Sequence, residues 1–392
     1  MQNSTFILED DQMMLVGVGV SNYVSGNLSE CNDFIQKNSG EYIFGLISYD
    51  VKNQLERLTS NNEVGVDFPE LLFVVPEFVI QINDDKIDFL KGESNDLIAK
   101  DVERLINSKT NNGALNKVEL EPRISKDEYL SSVNKLKKHI QLGDIYEVTF
   151  CQEFRAEDTK IDPVNVYKRL SQITEAPFRC FVQWEHNFLL SGSPERFLKR
   201  EGNKLFSQPI KGTAKRSDDK EVDEKNKRSL LKSSKEKAEN VMIVDLVRND
   251  LSRIAERNSV KVDELFGVYS FKTVHQLIST ISADIESSTS FEEIIKALFP
   301  MGSMTGAPKI KAMELIEKYE NFKRGMFSGS VGLIMPNGDF DFNVIIRSIL
   351  YDQEKNLISC PVGGAITIQS DPEAEYEECL IKLAALKKAL NP

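Results

Sequence analysis

The chain has 392 residues, and 49 Lys+Arg against 61 Asp+Glu give a net charge of −12 on an otherwise ordinary globular composition, 41% hydrophobic and 28% charged. An acidic surface without a local basic patch points away from nucleic acid and anionic lipid, and five dispersed cysteines without a CxxC point away from a disulfide framework or a zinc site. No apolar run approaches the ~20 residues of a membrane span, and the N-terminus MQNSTFILEDDQ is acidic where a signal peptide is basic, so a cytoplasmic protein with reduced thiols is expected.

Residues 1–120 alternate short apolar runs such as YIFGLISYDV and LLFVVPEFVIQI with Asn, Gly and Asp, which predicts a β-rich N-terminal subregion. The polar stretch NSKTNNGALNKVELEPR, residues 107–123, reads as a linker or long surface loop, and residues 124–390 carry the candidate chemistry. Ser125 and Glu128 form a capping-box pattern ahead of Tyr129, Val133, Leu136 and Ile140 at helical spacing, and Gly143 ends that helix. In the following IYEVTFCQEF, Tyr146, Val148, Phe150 and Phe154 share one strand face; Glu147, Thr149, Cys151 and Glu153 share the other, which must meet water or a site. Strands are further expected over Phe178–Trp184, Asn187–Ser191, Ser328–Met335 and Asn343–Tyr351, with helices between them at irregular intervals. Periodicity alone therefore gives mixed α+β. The doubly charged AKRSDDKEVDEKNKR, residues 214–228, reads as a solvated helix or loop.

Several constellations suit chemistry. In SSKEKAENVMIVDLVRND, Glu236, Glu239 and Ile243 recur at i, i+3 and i+7, which puts both carboxylates on one helix face, although Ser233 and Glu236 also fit a capping box with Glu239 solvated. The pattern returns in SDPEAEYEECLIKLAALKKAL: Asp371 as N-cap and Pro372 at the first position start a helix whose Glu375, Glu378 and Lys382 line one face. Two such helices offer oxygen ligands to one Mg²⁺. In SPERF and FSQPIKGTAKR, Pro209, Gly212 and Thr213 mark a tight turn presenting Lys211 from a strand end, as a surface lysine or, with a neutral amine, as a nucleophile. Glu195 suits a general acid where burial raises its pKa. In FPMGSMTGAPKIKAM, Thr305 as N-cap precedes a helix that Pro308 starts, with free N–H groups suited to an anion. Arg347 falls in the apolar strand FDFNVIIRSILY and needs a carboxylate, and Gly363 and Gly364 permit close backbone approach. Of the three histidines only His275 falls among these residues in chain order.

In order, GDIYEV, SPERF, PIKGT, KAENVMIVDLVRND, HQLIS, GSMTGAPK, IIR and AEYEE resemble the motifs of chorismate-utilising enzymes over about residues 125–390, nearest to their aminodeoxychorismate synthase component I branch. The resemblance implies an α+β fold of antiparallel β-sheets packed as a sandwich with flanking helices, like anthranilate synthase component I, holding Mg²⁺ and chorismate. It implies Glu239 and Glu378 as direct Mg²⁺ ligands, and Glu236 and Glu375 as ligands or holders of metal-bound water. Arg347 with the backbone of Gly363 and Gly364 would grip the pyruvyl carboxylate, with Lys382 beside the metal and ring carboxylate and Thr213 near the ring. Thr305 joins this substrate-binding set, and His275 joins Glu195, the acid for the departing C4 hydroxyl, and Lys211 in the catalytic set. The PIKGT lysine resembles that of the aminating branch, which implies that Lys211 would attack C2 as the C4 hydroxyl leaves and that ammonia from a glutamine amidotransferase partner would then attack C4. Anthranilate synthase component I is the main alternative, ahead of isochorismate or salicylate synthase, with a non-catalytic chorismate-binding subunit or a structural cation-binding protein behind them. Two residues depart from the family pattern: Glu147 stands where the aminating enzymes usually carry Gln, and Phe327 where many relatives carry Tyr.

Overall fold

Strands this short and this rich in Val, Ile, Leu and Phe need partners on both edges and a cover on each face, and the chain supplies both. The computed structural model describes residues 4–10, 13–83, 86–96, 98–100, 102, 117–271 and 274–391; of the stretch expected as a linker, 107–116 lie outside the described residues. Its strands form two antiparallel sheets, one of eleven strands and one of ten. In the first, the two-residue strand Gly306–Ala307 and then Glu147–Ala156, Leu357–Ile366, Ser348–Asp352, Asn187–Ser193 and Phe178–Trp184 lead to N-terminal strands beginning with Ser4–Glu9. In the second, Ile210–Lys215, Val274–Asp284, Lys204–Gln208, Arg196–Glu201, Phe340–Asn343 and Ser330–Ile334 lead to Ile43–Ile47 and its N-terminal neighbours. The N-terminal β-rich subregion thus contributes strands to both sheets.

Three apolar layers hold the sandwich together. Phe6, Phe44, Leu46, Val182, Leu189 and Val331 fill the space between the sheets. The outer face of the first sheet packs against helices Lys126–Leu142, Pro163–Thr174, Lys309–Tyr319 and Pro372–Leu390 through residues such as Tyr129, Val133, Leu170, Leu315 and Leu383. The outer face of the second packs against Leu28–Lys37, Ser234–Leu251 and Phe291–Leu298 through Phe34, Ile243, Val247 and Ile294. This is the α+β sandwich with flanking helices that the resemblance implies.

Local signals explain the helix ends. Ser125 and Glu128 form the reciprocal capping box, and Gly143 closes that helix at φ 83°. Asp371 accepts from the Ala374 N–H with Pro372 in the first turn. Asp219 caps Lys220–Lys232, so the doubly charged segment is helical from Lys220 on, its first two residues ending the strand Ile210–Lys215. All five cysteines are buried free thiols, and no helix among the described residues is long and apolar enough to cross a membrane. The expected strand Asn343–Tyr351 is two strands. Phe340–Asn343 belongs to the second sheet and Ser348–Asp352 to the first, and the chain crosses between them with Arg347 at φ 50°. An apolar run continuous in sequence hides such a crossing, because both halves are buried.

Candidate active site

Strand alternation turns Glu147, Thr149 and Cys151 inward from Glu147–Ala156, while Val148, Phe150 and Phe154 join the helix-side core. The polar face therefore meets a site rather than water. Glu147 is fully buried, and its Oε1 lies 3.4 Å from Lys211 Nζ. Lys211 sits inside the strand Ile210–Lys215 rather than on a turn at its end. The register against Val274–Asp284 slips between Ile210 and Thr213, and Gly212 at φ +86° forms the bulge that turns the lysine inward. A side chain at Gly212 would also strike Glu236 Oε2 at 2.9 Å.

Glu195 precedes the strand Arg196–Glu201, buried, and accepts a 2.6 Å hydrogen bond from the Ser303 hydroxyl. Burial pushes its carboxyl up to about 7, against the opposing pull of Ser303, Lys211 and Arg347, so it carries a proton through mildly acidic pH. Burial pulls the Lys211 amine down, but Glu147, Glu239 and Glu195 outweigh this and hold it above its ordinary value. The neutral amine that a nucleophile requires is thus not its resting form.

The two glutamate helices converge on this pair. Ser233 caps Ser234–Leu251 by accepting from the Glu236 N–H, and only that half of the expected capping box forms, which leaves the Glu236 carboxylate free to face Gly212. Glu239 is buried with Oε1 lacking a hydrogen-bond donor among the described residues, and burial pushes its carboxyl up to about 7. From the other helix, Glu375 Oε2 and Glu378 Oε1 lie 3.2 and 3.7 Å from the place a side chain on Gly364 would occupy. Lys235 Nζ stands 3.9 Å from Glu239 Oε1 and 3.8 Å from Glu375 Oε1, so one ammonium already spans both helices. Burial raises the carboxyls of Glu236 and Glu375, whereas for Glu378 burial is outweighed by Lys382, 2.8 Å away, and the carboxyl is lowered. No three acidic, His or Cys side chains form a ready cage among the described residues. Nonetheless an all-carboxylate set with an orphaned buried oxygen and a cation between its halves fits a hard divalent ion such as Mg²⁺.

The remaining predicted residues divide. Arg347 lies at the crossing between the sheets, half-buried; burial lowers its guanidinium while Glu195 opposes, and it makes no ion pair among the described residues. Lys382 donates to the Gly363 carbonyl at 2.6 Å, and Gly363 packs its backbone against Cys151, so Gly364 is the glycine that opens onto the glutamates. Thr213 is exposed and pairs with Gln276. Thr305 is not the N-cap: Pro308 takes that place ahead of Lys309–Tyr319, and the fully buried Thr305 hydroxyl donates back to the Met301 and Gly302 carbonyls. Gly306 and Ala307 pair with Val148 and Glu147 as an edge strand, which delays the helix. His275 is buried between Ser270, 2.7 Å from Nδ1, and Asp223, 3.0 Å from Nε2, and so ties the charged helix to its sheet. Phe327 is a core residue of the second sheet's outer layer.

Sequence reasoning missed Ser303, which reaches Glu195, and the buried Arg324, which binds the Met304 and Thr149 carbonyls and so fixes the loop that carries Ser303. A charged residue in the apolar context RGMFSG was the available signal.

The sequence profile of the chorismate binding enzymes matches residues 7–388. The chain belongs to that family. Among its relatives, aminodeoxychorismate synthase component 1 of Escherichia coli (strain K12) is 33% identical over 349 residues, 88% of this chain and 76% of that protein. The chloroplastic aminodeoxychorismate synthase of Arabidopsis thaliana is 40% identical over 272 residues, 69% of this chain, and the match spans 29% of that longer protein. The fold matches the crystal structure of anthranilate synthase component I from Streptococcus pneumoniae TIGR4 with a TM-score of 0.82 at 22% identity, covering 96% of this chain and 92% of that one.

Proposed function

We propose that this member of the family is the chorismate-aminating component I of an aminodeoxychorismate synthase, converting chorismate and ammonia to 4-amino-4-deoxychorismate for 4-aminobenzoate and folate supply. The observation that carries the reading is the buried Lys211 facing Glu195, a nucleophile and an acid in one pocket. Chorismate is a dianion, and Arg347, Lys382 and Lys211 supply the local cationic charge that an acidic protein otherwise lacks. Lys211 attacks C2 while Glu195 delivers its proton to the C4 hydroxyl, which leaves as water. Ammonia then attacks C4 and displaces Lys211. Glu236, Glu239, Glu375 and Glu378 would hold Mg²⁺, which when bound neutralises the ring carboxylate. Arg347 and Gly364 orient the pyruvyl carboxylate, which stays on the product. The ammonia is supplied by a glutamine amidotransferase subunit, in keeping with the component 1 naming of bacterial relatives, and the reaction runs in the cytoplasm.

The test is chromatography with mass detection on purified protein given chorismate, Mg²⁺ and an ammonium salt. Accumulation of 4-amino-4-deoxychorismate supports the reading. Fluorescent anthranilate in its place overturns it and makes the protein an anthranilate synthase component I.

A further inference from the structure

Three inward-facing residues follow one another on the strand Glu147–Ala156, and two of them, Thr149 through its side chain and Cys151 through its backbone, make hydrogen bonds. The Thr149 hydroxyl donates to the Ser303 carbonyl at 2.8 Å, and the Cys151 N–H donates to Glu320 Oε1 at 2.8 Å. Glu147 differs: it is fully buried, and among the described residues neither carboxylate oxygen receives a hydrogen bond. Among the described residues the cation paired with it is the Lys211 ammonium at 3.4 Å, near enough for an ion pair but outside aligned hydrogen-bond geometry. Apart from Glu239 of the cation site, whose Oε1 is also orphaned, interior carboxylates away from this pocket collect donors. Glu320 takes both Arg324 and the Cys151 N–H, and Glu153 takes Arg123 and Ser359. A buried carboxylate without donors is costly, and its open lone pairs face the one atom of the pocket that must lose a proton before it reacts.

We propose that Glu147 is the base of this site: it takes a proton from Lys211 when the lysine attacks, stores it, and returns it when the lysine leaves. The proposal rests on the reading of Lys211 as nucleophile. Among the described residues the carboxylates that act on Lys211 are Glu147 from the first sheet, Glu195 from the connection ahead of Arg196–Glu201, Glu236 and Glu239 from Ser234–Leu251, and Glu378 from Pro372–Leu390. Glu195 is engaged by Ser303 and needed as the acid, and the glutamates of the two helices form the cation site, which leaves Glu147. In the forward step an Nζ–H bond breaks and an Oε1–H bond forms. The freed lone pair makes the Nζ–C2 bond as the ring double bonds shift and C4–O breaks, the oxygen leaving as water with the Glu195 proton. The adduct nitrogen is then a secondary ammonium and departs as a neutral amine when ammonia bonds to C4. Glu147 restores the Lys211 ammonium, and the new C4 ammonium gives its surplus proton to Glu195.

The test compares Glu147→Gln and Glu147→Asp with wild type by steady-state kinetics from pH 6.5 to 9.5, with 4-amino-4-deoxychorismate quantified by mass. The expected result is a loss of at least about tenfold in kcat for Glu147→Gln at neutral pH with KM for chorismate changed less than about threefold. The variant-to-wild-type ratio then climbs with pH as solvent base takes over, and Glu147→Asp recovers part of the rate. A Glu147→Gln enzyme as fast as wild type at every pH overturns the assignment. So does a loss that is the same at all pH and no smaller in Glu147→Asp, the pattern of a packing defect. If wild type itself makes no 4-amino-4-deoxychorismate, the reading of Lys211 has failed first; if it does and the variants match it, only the role of Glu147 falls.

Discussion

Two buried ion pairs lie along the same strand and have opposite character. Glu320 and Arg324 sit beyond Thr149 and Cys151, and every polar atom described for them is engaged: Arg324 holds Glu320 through two nitrogens, binds the Met304 and Thr149 carbonyls, and lies over the Tyr49 ring at 4.6 Å. Glu147 and Lys211, a few residues away, face each other at 3.4 Å with no such scaffold. A saturated pair resists change and serves the fold. A bare pair has proton and bonding capacity to spend, which is what the proposed chemistry at Lys211 asks of it.

That contrast can be broken at either end. Lys211→Ala should cost at least about 10³-fold in amination rate while leaving the melting temperature nearly unchanged, measured by product mass and calorimetry. Arg324→Met should do the reverse, removing about 3–5 kcal/mol of stability in denaturant titration by stranding the buried Glu320. Glu195→Gln should lower kcat by about 10²-fold, because the leaving hydroxide then lacks its proton. Mg²⁺ at about a hundred times its Kd should stabilise the protein by about 2.7 kcal/mol, an effect that a chelator reverses and Glu239→Gln weakens. The smallest effect concerns pH. The Glu195 carboxyl lies up at about 7 in the folded chain against 4.5 unfolded, so its contribution to stability is full below pH 4.5 and is lost as pH rises to about 7. The rate limb that needs protonated Glu195 should fall through the same upper value, and Ser303→Ala should move that limb upward.

Signals local in sequence were legible. The capping box at Ser125, the Asp371–Pro372 helix start, the alternation through Glu147–Ala156 and the paired glutamates all follow from neighbours within one or two turns. What depended on the third dimension was not. Arg347 reads as a strand residue until the chain is seen to change sheets, and Thr305 reads as an N-cap until its hydroxyl is seen bonded backwards. The meetings of Glu147 with Lys211 and of Ser303 with Glu195 join residues 64 and 108 positions apart, beyond any periodicity.

The passage of the chain from one sheet to the other at Arg347 has a practical corollary. Glu147 belongs to the first sheet and Lys211 to the second, so the pocket spans the seam where the sheets meet. A slip between the sheets by a fraction of a side chain separates Glu195, Glu147 and Lys211 while each sheet keeps its own ladder of hydrogen bonds. On gentle heating, turnover should therefore fail at a lower temperature than ellipticity, making catalysis the more sensitive thermometer of this molecule.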